Sequence, residues 1–351
     1  MQAHFPTQHD WTDRQRSEHI RRHIQASCIR MRDRHPWLRH QDAIGATILI
    51  LSLSGMFITG ALYLHGHLPW WACVILNAIF CSFMHELEHD LIHRLYFRRR
   101  KLPHNLMLAL VWLARPSTIN PWLRRPHHLA HHRLSGTRAD LEERTLSNGH
   151  PWGVIRLIMT ADLMIAASVL VAEAESWREK RHILKTGIST YVPLTILHWA
   201  TWYLFLGLHL FHAVSAWIGH PIDASGSLQT IVGAVDAIVV IVVAPNILRT
   251  FSLHFISSNL HYYGDIEQGN LMQQTQVMTS PWLWPLQLFC VNFGSTHAIH
   301  HFVVNEPFYI RHMSARAAHQ VMRSMGVRFN DFGTFRRANR FTTRRLDQPL
   351  S

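Results

Sequence analysis

Three short histidine clusters hold the side chains of this chain that could do chemistry. They are spaced as HxxxH, HxxHH and HxxHH, and their imidazoles belong to His85, His89, His128, His131, His132, His297, His300 and His301. Imidazole is neutral near pH 7 and is the commonest metal ligand, so a group of histidines binds a cation without accumulating negative charge. Eight ligands exceed the four that one tetrahedral zinc ion takes. The count therefore predicts two metal ions.

The spacing within each cluster fits an α-helix, on which side chains three and four positions apart share a face. His93 continues the four-residue spacing of His85 and His89, so it is either a further ligand or a polar residue on the same face. His127 is a possible substitute for His128.

Four apolar segments surround these clusters. Residues 43–64 carry no charge and, at about 1.5 Å per residue, span about 33 Å, which is enough to cross a bilayer. Residues 68–84 follow almost at once, and residues 188–217 and 228–248 form a second pair. The sequence predicts two transmembrane hairpins.

The distribution of basic residues predicts the orientation. The hairpin tips, residues 65–67 and 218–227, contain no Lys or Arg, whereas the flanks hold Arg94, Arg98, Arg99, Arg100, Lys101, Arg344 and Arg345. An excess of Lys and Arg in short loops marks the cytoplasmic face. Both termini and all three clusters are therefore expected there. The net charge of +12 fits anionic lipid headgroups, and no nucleic-acid-binding motif accompanies it.

Three regions are expected along the chain: a basic cytosolic or interfacial arm (1–42), a membrane domain with the three clusters (43–310) and a basic cytosolic tail (311–351). Residues 105–114 are apolar but too short to span, and residues 152–172 are expected to form an interfacial helix because they carry Arg156 and Asp162. We expect no secretory signal, and four cysteines without paired spacing predict reduced thiols.

The three clusters, each following a hairpin or its continuation, resemble the membrane fatty acid desaturase and hydroxylase superfamily across residues 43–310. The resemblance implies an all-α integral membrane protein with four transmembrane helices in two hairpins and a cytosolic helical cap that holds two irons. It also implies O2-dependent oxidation of a fatty-acyl chain, with no catalytic residue beyond the metal ligands. The HELEHD start of the first cluster is similar to bacterial members, so we expect a bacterial inner membrane.

The family often adds a histidine ahead of its third cluster, and His261 matches that position as a ninth ligand. Acyl-CoA desaturases have an Asn four residues before it, where this chain has Ser257 and places Asn259 two before. Metal-bound histidines usually donate their second N–H to a carboxylate or carbonyl. The expected partners around the metals are Asp90, Asp140, Asn259 and Asp265, taken from acids close in sequence that include Glu86, Glu88 and Glu306.

The electrons are expected from a separate protein of the ferredoxin, rubredoxin or cytochrome b5 type, with its reductase, because this chain has no haem or iron–sulfur motif. The basic residues Arg94, Arg98–Lys101, Arg124 and Arg125 are predicted to attract an acidic donor or the anionic head of the substrate. Desaturation, hydroxylation and decarboxylation to a 1-alkene all stay open, as do chain length and head group.

Two other classes of protein fit parts of the pattern. His85, Glu86 and His89 match HExxH, the motif of zinc metalloproteases, but that reading leaves both HxxHH clusters unexplained. A metal transporter or sensor would need ionisable residues spread through the helices. His198, His209 and His212 are such residues, and packing within the bundle or a position near the outer headgroups explains them as well as a tunnel or a haem site does.

Overall fold

The computed structural model describes residues 11–220 and 226–342. Its α-helices are, in chain order, α1 (Asp13–Arg34), α2 (Gln41–Leu64), α3 (Trp70–Ile92), α4 (Lys101–Ala114), α5 (Pro121–Leu134), α6 (Leu141–Thr145), α7 (Val154–Ala161), α8 (Leu163–Ala172), α9 (Trp177–Tyr191), α10 (Leu194–Trp217), α11 (Ser227–Ile238), α12 (Ala244–Leu260), α13 (Leu271–Gln274), α14 (Trp284–Gln287), α15 (Phe293–Phe302) and α16 (Phe308–Ser324). A π-helical segment, Val239–Val243, joins α11 to α12. The described residues contain two isolated β-bridges and no strand. The predicted all-α fold is confirmed.

Four helices are long and apolar enough to cross a membrane: α2, α3, α10 and the continuous Ser227–Leu260. They confirm the four predicted spans, but two of them extend further than their apolar segments. Helix α3 continues to Ile92 rather than ending at residue 84, and α12 continues to Leu260 rather than to 248. The added residues are buried by other helices, so their polarity does not end the helix. The first histidine cluster therefore lies inside a stem helix.

The π-helical segment is held by a polar contact from α3. In an α-helix the Ile241 carbonyl would accept from the N–H of residue 245, but that residue is Pro245 and has no N–H. The side chain of Asn77 donates to the Ile241 carbonyl at 2.9 Å instead. Because a free carbonyl is costly in a membrane, Asn77 fixes the register between the two hairpins.

The predicted interfacial helix at residues 152–172 is two helices, α7 and α8. Asp162 separates them, and its carboxylate accepts from the backbone N–H groups of Met164 at 2.8 Å and Ile165 at 3.0 Å. Neither helix is long enough to span a bilayer. The guanidinium of Arg156 is buried and donates to the Ser258 carbonyl at 2.9 Å, so α7 is tied to the end of α12.

Helix α1 packs against α15 and α16, since its buried residues Ile20, Ile24 and Cys28 share one apolar core with them. The boundary expected at residue 310 falls within α16. Parts of the expected arm (1–10), of the second hairpin tip (221–225) and of the tail (343–351, with Arg344 and Arg345) lie outside the described residues.

The stem histidines make contacts of different kinds. His209 Nε2 lies 2.9 Å from the Asp236 carboxylate and so links α10 to α11, while His212 is half-buried. His198 is buried, and its nitrogens have no hydrogen-bond partner among the described residues.

Candidate metal centre

A first group of imidazoles lies where α3, α5 and α15 meet. His89 from α3, His93 just after it, His128 from α5 and His300 from α15 place their nearest ring nitrogens within 4.8 Å of one another. His132 adjoins this group, since its Nε2 is 3.3 Å from His93 Nε2 and 3.1 Å from His300 Nε2. Five imidazoles from three segments thus surround one point.

A second group forms beside the first. It consists of His131 from α5, His261 directly after α12, and His297 and His301 from α15, all buried and again within 4.8 Å of one another. His297 Nε2 lies 3.2 Å from both His261 Nε2 and His301 Nε2. Four imidazoles from three segments therefore converge here.

The HxxHH spacing explains how two helices serve both groups. On α5, His128 and His132 are four residues apart and point to the first group, while His131 points to the second. On α15 the arrangement is reversed, because His297 and His301 share the second group and His300 reaches the first. Each helix therefore lies between the two groups and contributes to both.

Hydrogen bonds on the outer side of the second group fix which nitrogen of each ring carries the proton. The Nδ1 of His131 lies 2.7 Å from the Asp140 carboxylate, that of His261 lies 3.0 Å from the Ser257 carbonyl, and that of His301 lies 3.2 Å from the Gln274 side-chain oxygen. All three partners are acceptors, so each Nδ1 is a donor, and each Nε2 presents a lone pair to a metal ion when its ring is neutral.

Lone pairs that face one another in a buried site need a cation between them. The first group also contains ring nitrogens whose lone pairs face one another. His128 Nδ1 lies 3.2 Å from the Glu142 carboxylate, which leaves its Nε2 as an acceptor 3.1 Å from His93 Nε2. Both nitrogens of His89 are buried with no hydrogen-bond partner among the described residues. The donor set fits two metal ions that prefer nitrogen ligands.

Burial and the surrounding charges set the protonation of these rings in opposite directions. Burial, reinforced by His128, lowers the pKa of His93 to about 2, and burial with the charge of His131 lowers the pKa of His261 to about 3. At His131, burial also opposes the charged form, but the hydrogen bond and charge of Asp140 outweigh it and raise the pKa to about 9. Carboxylates that favour a proton on His131 also favour a metal cation beside it.

His85 differs from the other expected ligands, because it lies outside both groups. Its Nδ1 is 3.2 Å from a guanidinium nitrogen of Arg115, which can only donate. The structure brings His89 and His93 together in the first group, and His85 lies one turn earlier on α3.

The four residues expected to hydrogen-bond metal-bound histidines make different contacts in the structure. Asp140 contacts His131 as expected. Asp90 instead accepts from the Tyr96 hydroxyl at 2.9 Å and from the backbone N–H of Phe308 at 2.9 Å, and it lies 4.0 Å from His89 Nδ1. Asp265 caps the backbone N–H groups of Phe341 and Thr342. The side-chain oxygen of Asn259 has no partner among the described residues.

Two side chains that contact the histidines are hard to predict from the sequence. Glu142 reaches His128 because Asp140 caps α6 and places Glu142 in its first turn, a pattern that predicts a helix start but no partner. Gln274 reaches His301 from the end of α13, and nothing in its local sequence indicates this contact. Both depend on how distant segments pack.

The acids of the first cluster are held in buried ion pairs. Glu86 accepts from Arg311 at 3.2 Å, and Glu88 accepts from Arg124 at 2.8 Å and pairs with Arg115. A protease of the HExxH type needs both histidines on one zinc and a free glutamate beside it. Here His85 lies apart from His89, and Glu86 is occupied. The geometry does not support that alternative.

A cavity of about 560 Å³ adjoins the histidines. Five of the grouped imidazoles line one side of it, namely His89, His128, His131, His261 and His297. Apolar side chains of α8 and α9 line another side, among them Leu163, Met164, Leu170, Ile183 and Ile188. A long apolar molecule fits this combination, with part of its length against the two histidine groups.

Residues 65–333 match the family model described as fatty acid desaturase. This range covers most of the chain and includes every residue of the two histidine groups. No curated protein matches the chain.

Proposed function

The chain belongs to the fatty acid desaturase family, and from that premise we propose that it is a di-iron enzyme that uses O2 to oxidise an unactivated C–H bond of a fatty-acyl chain. Membership makes it an integral membrane oxidoreductase that acts on fatty-acyl chains. The metal, the oxidant and the product are the proposed parts. The observation that carries them is the convergence of nine imidazoles into two adjacent groups.

We assign His89, His93, His128, His132 and His300 to one iron and His131, His261, His297 and His301 to the other. Iron held by these residues would supply O2-dependent oxidation of an alkyl C–H bond, which redox-inactive zinc would not. Asp140, Glu142 and Gln274 orient their imidazoles by accepting the outer N–H, so the metal-binding nitrogens are preorganised.

The cavity supports the substrate assignment. Its apolar lining from α8 and α9 can surround an acyl chain as lipid does, and histidines of both groups line the same cavity. Leu170 and Ile183 are buried in this wall, whereas Ile188, which also lines the cavity, and Ile165, which does not, are exposed, where hydrocarbon can cover them. The substrate therefore has an apolar route from the bilayer to the metal centre.

The electron donor is proposed to be a separate acidic protein. Arg94, Arg98, Arg99, Arg100 and Lys101 form an exposed basic surface next to His93, and we place this surface in the cytoplasm. Arg124 is predicted from the sequence to belong to the same surface, but it is half-buried and donates to Glu88 and Glu142. We therefore leave it out of the docking surface.

Expression with a ferredoxin and its reductase, followed by mass spectrometry of fatty acids and volatile hydrocarbons, tests the proposal. A desaturated acid, a hydroxy acid or a 1-alkene each supports it and decides among the three outcomes. His131→Ala and His300→Ala remove one ligand from each group and should abolish the product. Product that persists in both variants would contradict the proposal.

A further inference from the structure

One arginine in the cavity wall has no anionic partner. Arg249, on α12, is 1% exposed and lines the cavity. Its Nη2 donates to the hydroxyls of Ser117 at 3.1 Å and Thr250 at 2.7 Å. Its Nε and Nη1 are buried and have no hydrogen-bond partner among the described residues, where no carboxylate lies within 4 Å of the guanidinium.

The other fully buried arginines each have a carboxylate or carbonyl partner, although the Nε of each is buried without a partner among the described residues, as it is in Arg249. Arg115 pairs with Glu88, and Arg311 pairs with Glu86 and Asp90. Arg156 donates to the carbonyls of His150 and Ser258. The fold thus neutralises or caps a buried guanidinium in each of these cases and leaves Arg249 with two hydroxyls only.

An unpaired buried charge is expensive. A guanidinium stays protonated in proteins, and taking it out of water without an anion costs several kcal/mol. The arrangement is accounted for if the missing anion is a ligand. The hydroxyls of Ser117 and Thr250 both accept from Nη2, so Nη1 and Nε are the donors left for that ligand.

A further donor is available in the same cavity wall. His85 Nδ1 accepts from Arg115, so its proton is on Nε2, and this atom is buried with no hydrogen-bond partner among the described residues. This contact accounts for the placement of His85 outside both histidine groups. Arg249 and His85 give the cavity a cationic, hydrogen-bonding region beside its apolar wall.

We propose that the cavity binds an unesterified fatty acid with its carboxylate on Arg249 and its alkyl chain along α8 and α9. This inference rests on the proposed function, since it names the head group of the substrate for the same site. A thioester or ester has no negative charge at its carbonyl, so it would leave the guanidinium unpaired. The cavity therefore selects the free acid.

Equilibrium binding to the purified full-length protein, prepared without metal, tests the proposal. The probes are a saturated fatty acid, its methyl ester and its coenzyme A thioester. The acid should bind about tenfold to a hundredfold more tightly than the methyl ester, because a hydrogen-bonded charge pair is worth that much. Equal affinity of acid and methyl ester in the wild-type protein would overturn the proposal without any variant.

Two substitutions assign the effect to Arg249. In Arg249→Gln the preference for the acid should disappear while ester binding is kept, and in Arg249→Lys most of the preference should remain. Arg156→Gln is the matched control, because it removes a buried arginine that does not line the cavity and should keep the preference. An unchanged acid preference in Arg249→Gln would contradict the assignment. Since the protein carries no metal here, failure of this test is distinct from failure of the di-iron proposal, which metal analysis decides.

Discussion

The Nε2 atoms of His93 and His128 lie 3.1 Å apart, although 35 residues separate them. His93 follows the last turn of α3 and His128 lies within α5, so the contact joins a stem helix to the cap. Glu142 takes the outer N–H of His128 and turns its Nε2 toward His93. This pairing makes His93, rather than His85, the partner of His89 in the first group.

The first prediction distinguishes His93 from His85 as a metal ligand. His93→Ala should lower the bound iron from about two to about one per chain, because it removes a member of the first group only. His85→Ala should retain both irons, since its ring contacts Arg115 instead. Elemental analysis of both variants measures this. Loss of iron in His85→Ala with full retention in His93→Ala would reverse the assignment.

The second prediction concerns Asp140. Asp140→Asn keeps the size of the side chain but weakens its contact with His131 Nδ1, so iron affinity should fall about tenfold to a hundredfold. Competition with a chelator measures the affinity. Asp265→Asn is the control, because Asp265 caps the backbone at Phe341 and Thr342. Equal losses in the two variants would show that a general loss of fold, rather than ligand orientation, explains the effect.

The third prediction uses the apolar wall of the cavity. Ala167 lines the cavity on α8, so Ala167→Phe should occupy part of the space for the alkyl chain and shift binding toward shorter fatty acids. Ile165→Phe changes a neighbouring side chain that is 40% exposed and does not line the cavity, and it should leave chain-length preference unchanged. A series of saturated acids measures the preference. The same shift in both variants would argue against the chain lying along α8.

The fourth prediction concerns the electron donor. Reversing Arg98, Arg99 and Arg100 to Glu should raise the KM for an acidic donor about tenfold or more at low salt and weaken its dependence on ionic strength. Arg178→Glu, an exposed change on α9, serves as the control. Turnover kinetics with purified donor measure the effect. A KM that is insensitive both to salt and to these reversals would remove the docking surface from the account.

The fifth prediction follows from an anchored carboxylate. If Arg249 holds the head group, the carbon that is oxidised is counted from the carboxyl end of the chain. Fatty acids that differ by two carbons should therefore react at the same distance from their carboxylates. Mass spectrometry of the products locates the changed carbon. A position that stays constant from the methyl end instead would contradict anchoring at Arg249.

Local spacing predicts much of this site, because the i, i+3 and i+4 positions of a helix determine which side chains share a face. Both HxxHH clusters and the separate His261 are brought together as that spacing and the family resemblance imply. Spacing does not distinguish His85 from His93, since each lies four residues from His89 on one face of α3. The choice depends on how far α3 rises into the cap, which is a property of long-range packing.

The partners of the histidines are less predictable still. Asp140 is close to His131 in sequence, and the distance of nine residues is short enough to suggest the contact. Gln274 is 27 residues from His301, and Ser117 is 132 residues from Arg249. These contacts arise from the packing of segments whose local sequence shows no sign of each other.

The metal content of the purified protein tests the central claim most directly. Protein expressed with adequate iron should contain about two irons per chain and little zinc, because two groups of histidines are present and each fits one metal ion. Elemental analysis against protein concentration gives the ratio. One zinc per chain with no iron would contradict the account.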